Sequence, residues 1–294
     1  MREHRGHKMA FGYIAAVTIF AVALIALNAW LHWHLRLSVF FLAGYIATLS
    51  VYCVWHAILT MGWRGSLRLF GLFYAVAFTA EVLGVNFGWI FGSYHYTRVF
   101  GLRLLGVPLL AALAWGPILY AAFLLIDLVA PSTVKASDLW ISRLTTHAWT
   151  ALVGALAATA WDMMIDPIAV SNGWWVWDNG GSYMPYLANG VPIHNFAGWL
   201  LVSFVIIFVA RGTAGTDRGL QGPAGLTAYG ALTLYASLFS TSMGVATTIL
   251  IRPEVALVGM LAMGPFLAIS ITNMNLVQRG LTTLAGMGWL KLES

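Results

Sequence analysis

Long apolar runs separated by short polar segments make up almost the whole sequence, and this pattern limits the possible folds more than any other feature. About 20 apolar residues are enough for a helix to cross the roughly 30 Å hydrocarbon core of a bilayer. One crossing for each run predicts a single integral membrane domain over residues 1–294, an all-α bundle of about eight transmembrane helices. The predicted spans lie near residues 11–31, 39–60, 67–91, 104–129, 146–168, 196–211, 224–250 and 255–277.

The charged residues support a multi-pass protein of the cell membrane. Only 15 Lys and Arg and 10 Asp and Glu occur among 294 residues, of which 60% are apolar, so a water-soluble globule is excluded. The basic residues lie singly at the edges of the runs, without the basic stripe that nucleic-acid binding requires. In the eight-span arrangement 11 of the 15 lie on the side of the termini, which predicts that both termini are cytoplasmic. The first apolar run is too long for a cleaved signal peptide, and we expect it to be retained.

Three acidic residues, Glu81, Asp162 and Asp166, lie inside apolar runs. A charge at the centre of a bilayer costs roughly 2.5 to 3.5 kcal/mol on insertion scales, so each acid requires an explanation. Glu81 is followed by Gly84, Gly88 and Gly92, which a continuous helix would place on one face with the carboxyl group. That face would admit a close neighbour or a flat ligand. The alternative is a packing seam in which Glu81 makes one structural hydrogen bond.

Asp162 and Asp166 stand four residues apart in WDMMIDP, so a helix places both carboxyl groups on one face. We expect Pro167 to end or kink this helix. Two acids this close in an apolar setting cannot both ionise cheaply, and at least one should keep a proton. A neutral carboxyl group in a dry pocket is a candidate general acid. The alternative is a structural cap or a salt bridge.

The alternation of the spans places these acids in the same half of the bilayer as an aromatic segment. Residues 169–195 are rich in Trp, Tyr, Gly, Asn and Pro, which is typical of a loop at the membrane surface. We therefore predict a site there, although an aromatic belt without a ligand would also explain the segment. The candidate catalytic residues are Glu81, Asp162 and Asp166, and the candidate substrate-binding residues are Asn86, Tyr94, Tyr96, Trp115, Trp161, Trp174, Trp177, Tyr183, Asn195 and Trp199.

The motif inventory favours chemistry without a cofactor or a metal ion. The GxGxxG, GxxxxGK[ST], CxxC and HExxH patterns and the clustered histidines of membrane di-iron enzymes are missing from the sequence. His95 and His194 are the histidines that could approach the acids, and hydrogen bonding is their more ordinary role. Carboxyl groups among aromatic rings suit acid-catalysed hydration of an alkene, in which a protonated double bond gives a carbocation that ring faces stabilise.

Four strings also carry a resemblance: AEVLGVNFGWIFGSYHYT, GVPLLAALAW, WDMMIDPIAVSNGWWVW and GVPIHNFAGW. Together, over residues 75–205, they resemble the membrane-bound carotenoid hydratase family, which includes bacterial carotenoid 1,2-hydratases and haloarchaeal bisanhydrobacterioruberin hydratases. The resemblance implies that water is added to the ψ end group of a lycopene-like or γ-carotene-like substrate, giving a tertiary alcohol. It places Glu81, Asp162, Asp166, Trp174, Trp177 and Asn195 at the motif positions of the family. The segment from Tyr183 to Val191 is longer than the family's usual spacer.

Two other functions are compatible with intramembrane acids. Asp162 and Asp166 could form half of a magnesium-diphosphate site in a membrane prenyltransferase, but the second acidic motif and the basic diphosphate partners are not found. Acids also act as relays in proton-coupled transporters. Inverted repeats or paired broken helices would mark that class, and the sequence does not reveal them. The expected partners are the carotenoid and the lipid bilayer, without nucleic acid, and no protein partner can be predicted.

Overall fold

The computed structural model describes residues 2–30, 39–130, 140–179, 190–213, 224–250 and 252–278. Within these residues the chain forms seven α-helices, of which six are long and apolar enough to cross a membrane. The predicted all-α transmembrane bundle is therefore confirmed. The helices are α1 (Arg2–Trp30), α2 (Val39–Phe87), α3 (Leu109–Val129), α4 (Trp140–Ser171), α5 (Ile193–Thr213), α6 (Ala224–Gly244) and α7 (Pro253–Gln278).

Helix α2 contains two of the predicted spans. A straight helix of its 49 residues would be roughly 73 Å long, more than twice the thickness of a bilayer core. Gly62 interrupts it with φ 72° and ψ 168°, a conformation that glycine adopts without a Cβ clash. The helical segments before and after Gly62 correspond to the spans predicted near 39–60 and 67–91. The predicted number of about eight spans is thus an approximate description of seven helices, one of them broken.

Helix α3 lies at the centre of the bundle. It packs against α2, α4, α5, α6 and α7, and most of its side chains are buried. Its sequence is apolar on every face, as expected of a helix that is surrounded by other helices. Trp115, in its second turn, is 2% exposed. The centre of the bundle therefore supplies one wall of any site near the start of α3.

Four short strands, which the sequence did not predict, lie between the helices. Strand β1 (Ser93–Tyr96) pairs antiparallel with β4 (Trp175–Asn179), and β2 (Arg103–Leu104) pairs with β3 (Val107–Pro108). They shorten two predicted spans. Helix α2 ends at Phe87 rather than 91, where Gly88 has φ +67°. Helix α3 begins at Leu109 rather than 104, because residues 105 and 106 have positive φ and form the turn between β2 and β3.

Two further helix ends differ from expectation. Of the two outcomes expected at Pro167, an end of the helix is not found, because α4 continues to Ser171. Helix α6 ends at Gly244 and is followed by one π-helical turn, Val245–Ile249, within the span predicted over 224–250. The cytoplasmic placement of both termini stays a prediction from the distribution of Lys and Arg.

Candidate active site

Strand β1 turns two phenol groups toward the interior. Side chains alternate between the two faces of a strand, so Tyr94 and Tyr96 are buried while Ser93 and His95 are exposed. The partner strand β4 places Trp177 opposite Tyr94 and Trp175 opposite Tyr96. The β1–β4 pair thus forms an aromatic cover over the end of the helix bundle.

Glu81 accepts three hydrogen bonds beneath this cover. The Tyr94 and Tyr96 hydroxyls donate to Oε2 at 2.6 and 2.9 Å, and Trp115 Nε1 donates to Oε1 at 2.9 Å. Burial raises the pKa of Tyr94 and Tyr96 well above the usual tyrosine range, and the Glu81 carboxyl adds to the rise. Both phenols therefore remain neutral donors at physiological pH. Glu81 therefore accepts three hydrogen bonds, whereas the alternative interpretation gave it one.

Only one of the three predicted glycines shares a helix with Glu81. Gly84 leaves room for Phe91 and Tyr94, whose rings would lie 2.9 and 3.1 Å from an added Cβ. Gly88 and Gly92 lie beyond the end of α2, so the extended glycine face that we predicted is not formed. The space at Gly84 lets the Tyr94 hydroxyl reach Glu81 one turn away.

Asp162 and Asp166 face one amide. Both are buried on the same side of α4, and Asn195 Nδ2, in the first turn of α5, donates to Oδ2 of each; the bond to Asp162 is 3.0 Å long. Among the described residues the ion pairs are His95–Asp178, Arg211–Asp127 and Arg252–Glu254, so none neutralises this pair. Asp162 Oδ1 is buried and accepts no hydrogen bond from an N–H or hydroxyl group of the described residues, so the neighbouring Asp166 carboxyl group is the partner with which Asp162 can share a proton. The salt bridge that we considered for these acids is not formed there.

A cavity of about 110 Å³ joins the two acidic groups. This volume is smaller than the cavity of about 150 Å³ that binds benzene, so the space suits a small branched group such as the end of a hydrocarbon chain and not a longer part of it. Asp162 is not among the lining residues and lies behind Asp166 and Asn195. The predicted site residues that line the cavity are Glu81, Tyr94, Tyr96, Trp115, Trp161, Asp166, Trp174, Trp177, Asn195 and Trp199.

Aromatic rings form most of the cavity wall around the acids. Trp115 and Trp199 stack with centroids 3.9 Å apart and an interplanar angle of 12°, and Trp161 meets Trp199 edge-on at 6.4 Å. Trp177 lies 4.8 Å from Tyr94. Such faces attract a cation in a site without water. The cavity therefore combines carboxyl groups with surfaces that can stabilise positive charge.

Other predicted residues lie elsewhere. Asn86 does not line the cavity, and its amide donates to the Val82 and Leu105 carbonyls, which ties α2 to the β2–β3 turn. Tyr183 lies outside the described residues. His95 binds Asp178 at 2.9 Å on the exposed side of β1, and His194 packs over Gly92. No group of three or more His, Cys, Asp or Glu side chains suited to a metal ion is found in the described ranges.

Several lining residues were not predicted. Trp175 could have been found from the WWVW string, because alternate residues of a strand face the same way. Phe91 follows the positive-φ residue Ile90, a turn that the apolar run concealed. No sequence signal singles out the cavity residues of α2 and α6, among them Tyr45, Thr241 and Ser242.

The contact between α5 and the turn after α2 gives a stability prediction. A Cβ added at Gly198 would lie 2.5 Å from the Ile90 carbonyl oxygen and 2.9 Å from the Phe91 ring. We expect Gly198→Ala to lower the melting temperature of the detergent-solubilised protein by several degrees, since overpacking typically costs about 1 to 3 kcal/mol. Gly212 on the same helix has no atom within 4 Å, so Gly212→Ala is the matched control. Equal melting temperatures for both variants would contradict this account of the α5 contact.

Comparison with known proteins identifies a matching family and a related protein. A family described as "Carotenoid biosynthesis protein" matches residues 13–265. The bisanhydrobacterioruberin hydratase of Haloarcula japonica is 32% identical over 130 residues, which make up 44% of this chain and 39% of that protein. The match thus spans less than half of the relative's length. No solved structure matches the chain.

Proposed function

Because the chain belongs to the carotenoid biosynthesis protein family, we propose that it is a hydratase acting on the end of a carotene. It adds water across the terminal C1=C2 double bond of an acyclic ψ end group and gives a tertiary alcohol, without a cofactor or a metal ion. The observation that carries the proposal is the cavity in which Glu81 and Asp166 face one aromatic-walled space of end-group size. The related hydratase of Haloarcula japonica supports the same class of reaction.

Asp166 is the proton donor in this proposal. It lines the cavity, whereas Asp162 is fully buried behind it, so only Asp166 can contact an alkene. Two negative charges on carboxyl groups that share one amide would repel each other, which favours a pair that keeps one proton. Transfer of that proton to C2 leaves a tertiary cation at C1. Asp162 and Asn195 are positioning residues, because they hold the Asp166 carboxyl group in place.

Glu81 accepts the proton that water releases. Water adds to C1, and the resulting oxonium loses a proton through Tyr94 or Tyr96 to Glu81. Each phenol donates its hydrogen to Glu81 and can still accept a hydrogen bond from water. Return of the proton from Glu81 to Asp166 completes the cycle. The net reaction consumes one alkene and one water molecule and leaves both acids unchanged.

The stacked indoles of Trp115 and Trp199 lead to a prediction about the carbocation at C1. We expect Trp199→Leu to lower the hydration rate by about tenfold to thirtyfold, because a desolvated cation–π contact is worth about 2 kcal/mol and about 1.4 kcal/mol corresponds to a factor of ten. The rate of alcohol formation in membranes supplied with an acyclic carotene measures this. Trp149→Leu is the control, since Trp149 is 59% exposed and lies roughly 20 Å from Asp162 along α4. Equal rates for the two variants would contradict a role of Trp199 in stabilising charge.

Expression in a lycopene-producing host tests the function itself. We expect a pigment heavier than lycopene by one water molecule, which host cells without the protein do not make. A prenylated product that requires magnesium would favour a prenyltransferase instead. Proton-coupled movement of an unaltered solute in vesicles would favour a transporter.

A further inference from the structure

The wall of the cavity contributed by α2 and α6 carries hydroxyl groups that the proposed acid chemistry does not use. Tyr45, Thr241 and Ser242 line the cavity, and Ser237 is fully buried behind them. These four residues are called the hydroxyl cluster. The Tyr45 hydroxyl and Ser237 Oγ are 2.9 Å apart, and Thr241 Oγ1 donates to the Tyr45 oxygen at 3.1 Å.

We propose that the hydroxyl cluster holds the water molecule that is added to the substrate. The inference rests on the proposed function and identifies the binding site of the second reactant. A hydrocarbon end group can neither donate a hydrogen bond to a hydroxyl group nor accept one from it. Burying polar groups against a hydrocarbon therefore costs free energy. Water has the complementary chemistry, because it can both donate to and accept from the cluster.

The hydroxyl cluster has donor and acceptor sites that its own hydrogen bonds do not use. A hydroxyl group offers one donor and two acceptor sites. Thr241 uses its hydrogen on Tyr45, so its oxygen can accept from another molecule, and Ser242 adds a further hydroxyl to the same wall. A buried water molecule typically makes two to four hydrogen bonds, and three lining hydroxyls meet that requirement.

The acidic end of the cavity can accept hydrogen bonds from water through the phenol oxygens of Tyr94 and Tyr96, but it has few hydrogens left to donate to water. Both oxygens of Glu81 already accept hydrogen bonds from Tyr94, Tyr96 and Trp115. The amide of Asn195 is likewise engaged with the two aspartates. The α2–α6 wall and the proton donor on α4 belong to different helices that line the same cavity, so the two reactive groups need not occupy one position.

The backbone next to the hydroxyl cluster is irregular. The π-helical turn Val245–Ile249 begins directly after α6, and Val245 itself lines the cavity. Single π-helical turns are found frequently at functional sites. The hydroxyl cluster thus ends at an irregular turn rather than continuing along a regular helix.

The proposal is tested by the fate of the carbocation in deuterated water. A cation at C1 either captures water and becomes the alcohol, or loses a proton and returns to alkene that carries deuterium from the acid. We expect Tyr45→Phe and Thr241→Val each to raise the ratio of deuterated alkene to alcohol about fivefold, the change that corresponds to the loss of one hydrogen bond to water. Mass spectrometry of both products gives the ratio.

The ratio separates water binding from a structural role. Damage to the fold lowers both products in proportion and leaves the ratio unchanged. Thr247→Val is the matched control, because Thr247 is exposed on the π turn and its hydroxyl donates to the Met243 carbonyl at 2.8 Å. An unchanged ratio in both cluster variants, with normal alcohol formation by the wild type, would overturn the water site alone. No alcohol from the wild type would overturn the proposed function and the water site with it.

Discussion

Replacing Asp166 with Asn should lower the rate of carotene hydration by about two to four orders of magnitude. The amide has nearly the same shape and can still face Asn195, but it has no acidic proton for the double bond. General acid catalysis typically contributes a factor of this size. Alcohol formed per milligram of protein, in membranes supplied with an acyclic carotene, measures the loss.

The same substitution at two other aspartates provides a control and a comparison for Asp166→Asn. Asp178 is partly exposed and pairs with His95 outside the cavity, so Asp178→Asn should retain the wild-type rate. Asp162 is buried but does not line the cavity, so Asp162→Asn should retain more activity than Asp166→Asn. The opposite order, with Asp166→Asn the more active of the two, would transfer the role of proton donor to Asp162.

Replacing Glu81 with Gln should produce the second large loss, about a hundredfold or more. Trp115 Nε1 can only donate, so the remaining carbonyl oxygen of Gln must face it. The amide nitrogen then faces the two phenols, which can accept its hydrogens, and the packing is kept. The group that we propose as the acceptor of the proton from water is lost, and base catalysis contributes a factor of this order.

Stability measurements separate this loss from misfolding. Glu81→Gln should lower the melting temperature less than Glu81→Leu, because Gln keeps an acceptor for Trp115 and hydrogens for the two phenol oxygens, whereas Leu leaves three buried donors without any partner. Glu254→Gln is the control, since Glu254 is partly exposed and pairs with Arg252. Full activity of Glu81→Gln would show that Glu81 has a structural role and no part in the reaction.

The helices could be predicted from the sequence because long apolar runs mark the segments that lie in lipid, where the backbone must make its hydrogen bonds within a helix. The broken helix α2 shows the limit of this signal. The apolar runs on either side of Gly62 are long enough for one crossing each, but the sequence does not reveal that the two helical segments join without a loop. The ends near Gly88 and Leu105 depend on single residues with positive φ, which average hydropathy does not detect.

The acids of the site could be predicted, but their partners only in part. A carboxyl group inside an apolar run stands out wherever it lies, and the spacing of Asp162 and Asp166 fixes a shared helix face. The pairing of β1 with β4 joins segments about 80 residues apart, so no local pattern indicates that Tyr94 faces Trp177. The hydroxyl cluster arises in the same way, because Tyr45 and Thr241 meet only when α2 packs against α6.

Hydration in heavy-oxygen water, without molecular oxygen or any added cofactor, tests the central claim most directly. Membranes containing the wild-type protein should convert an acyclic carotene to a tertiary alcohol whose oxygen carries the label, and Asp166→Asn membranes should not. An alcohol without the label, an absolute need for an added cofactor, or equal conversion by both proteins would contradict acid-catalysed hydration at this site.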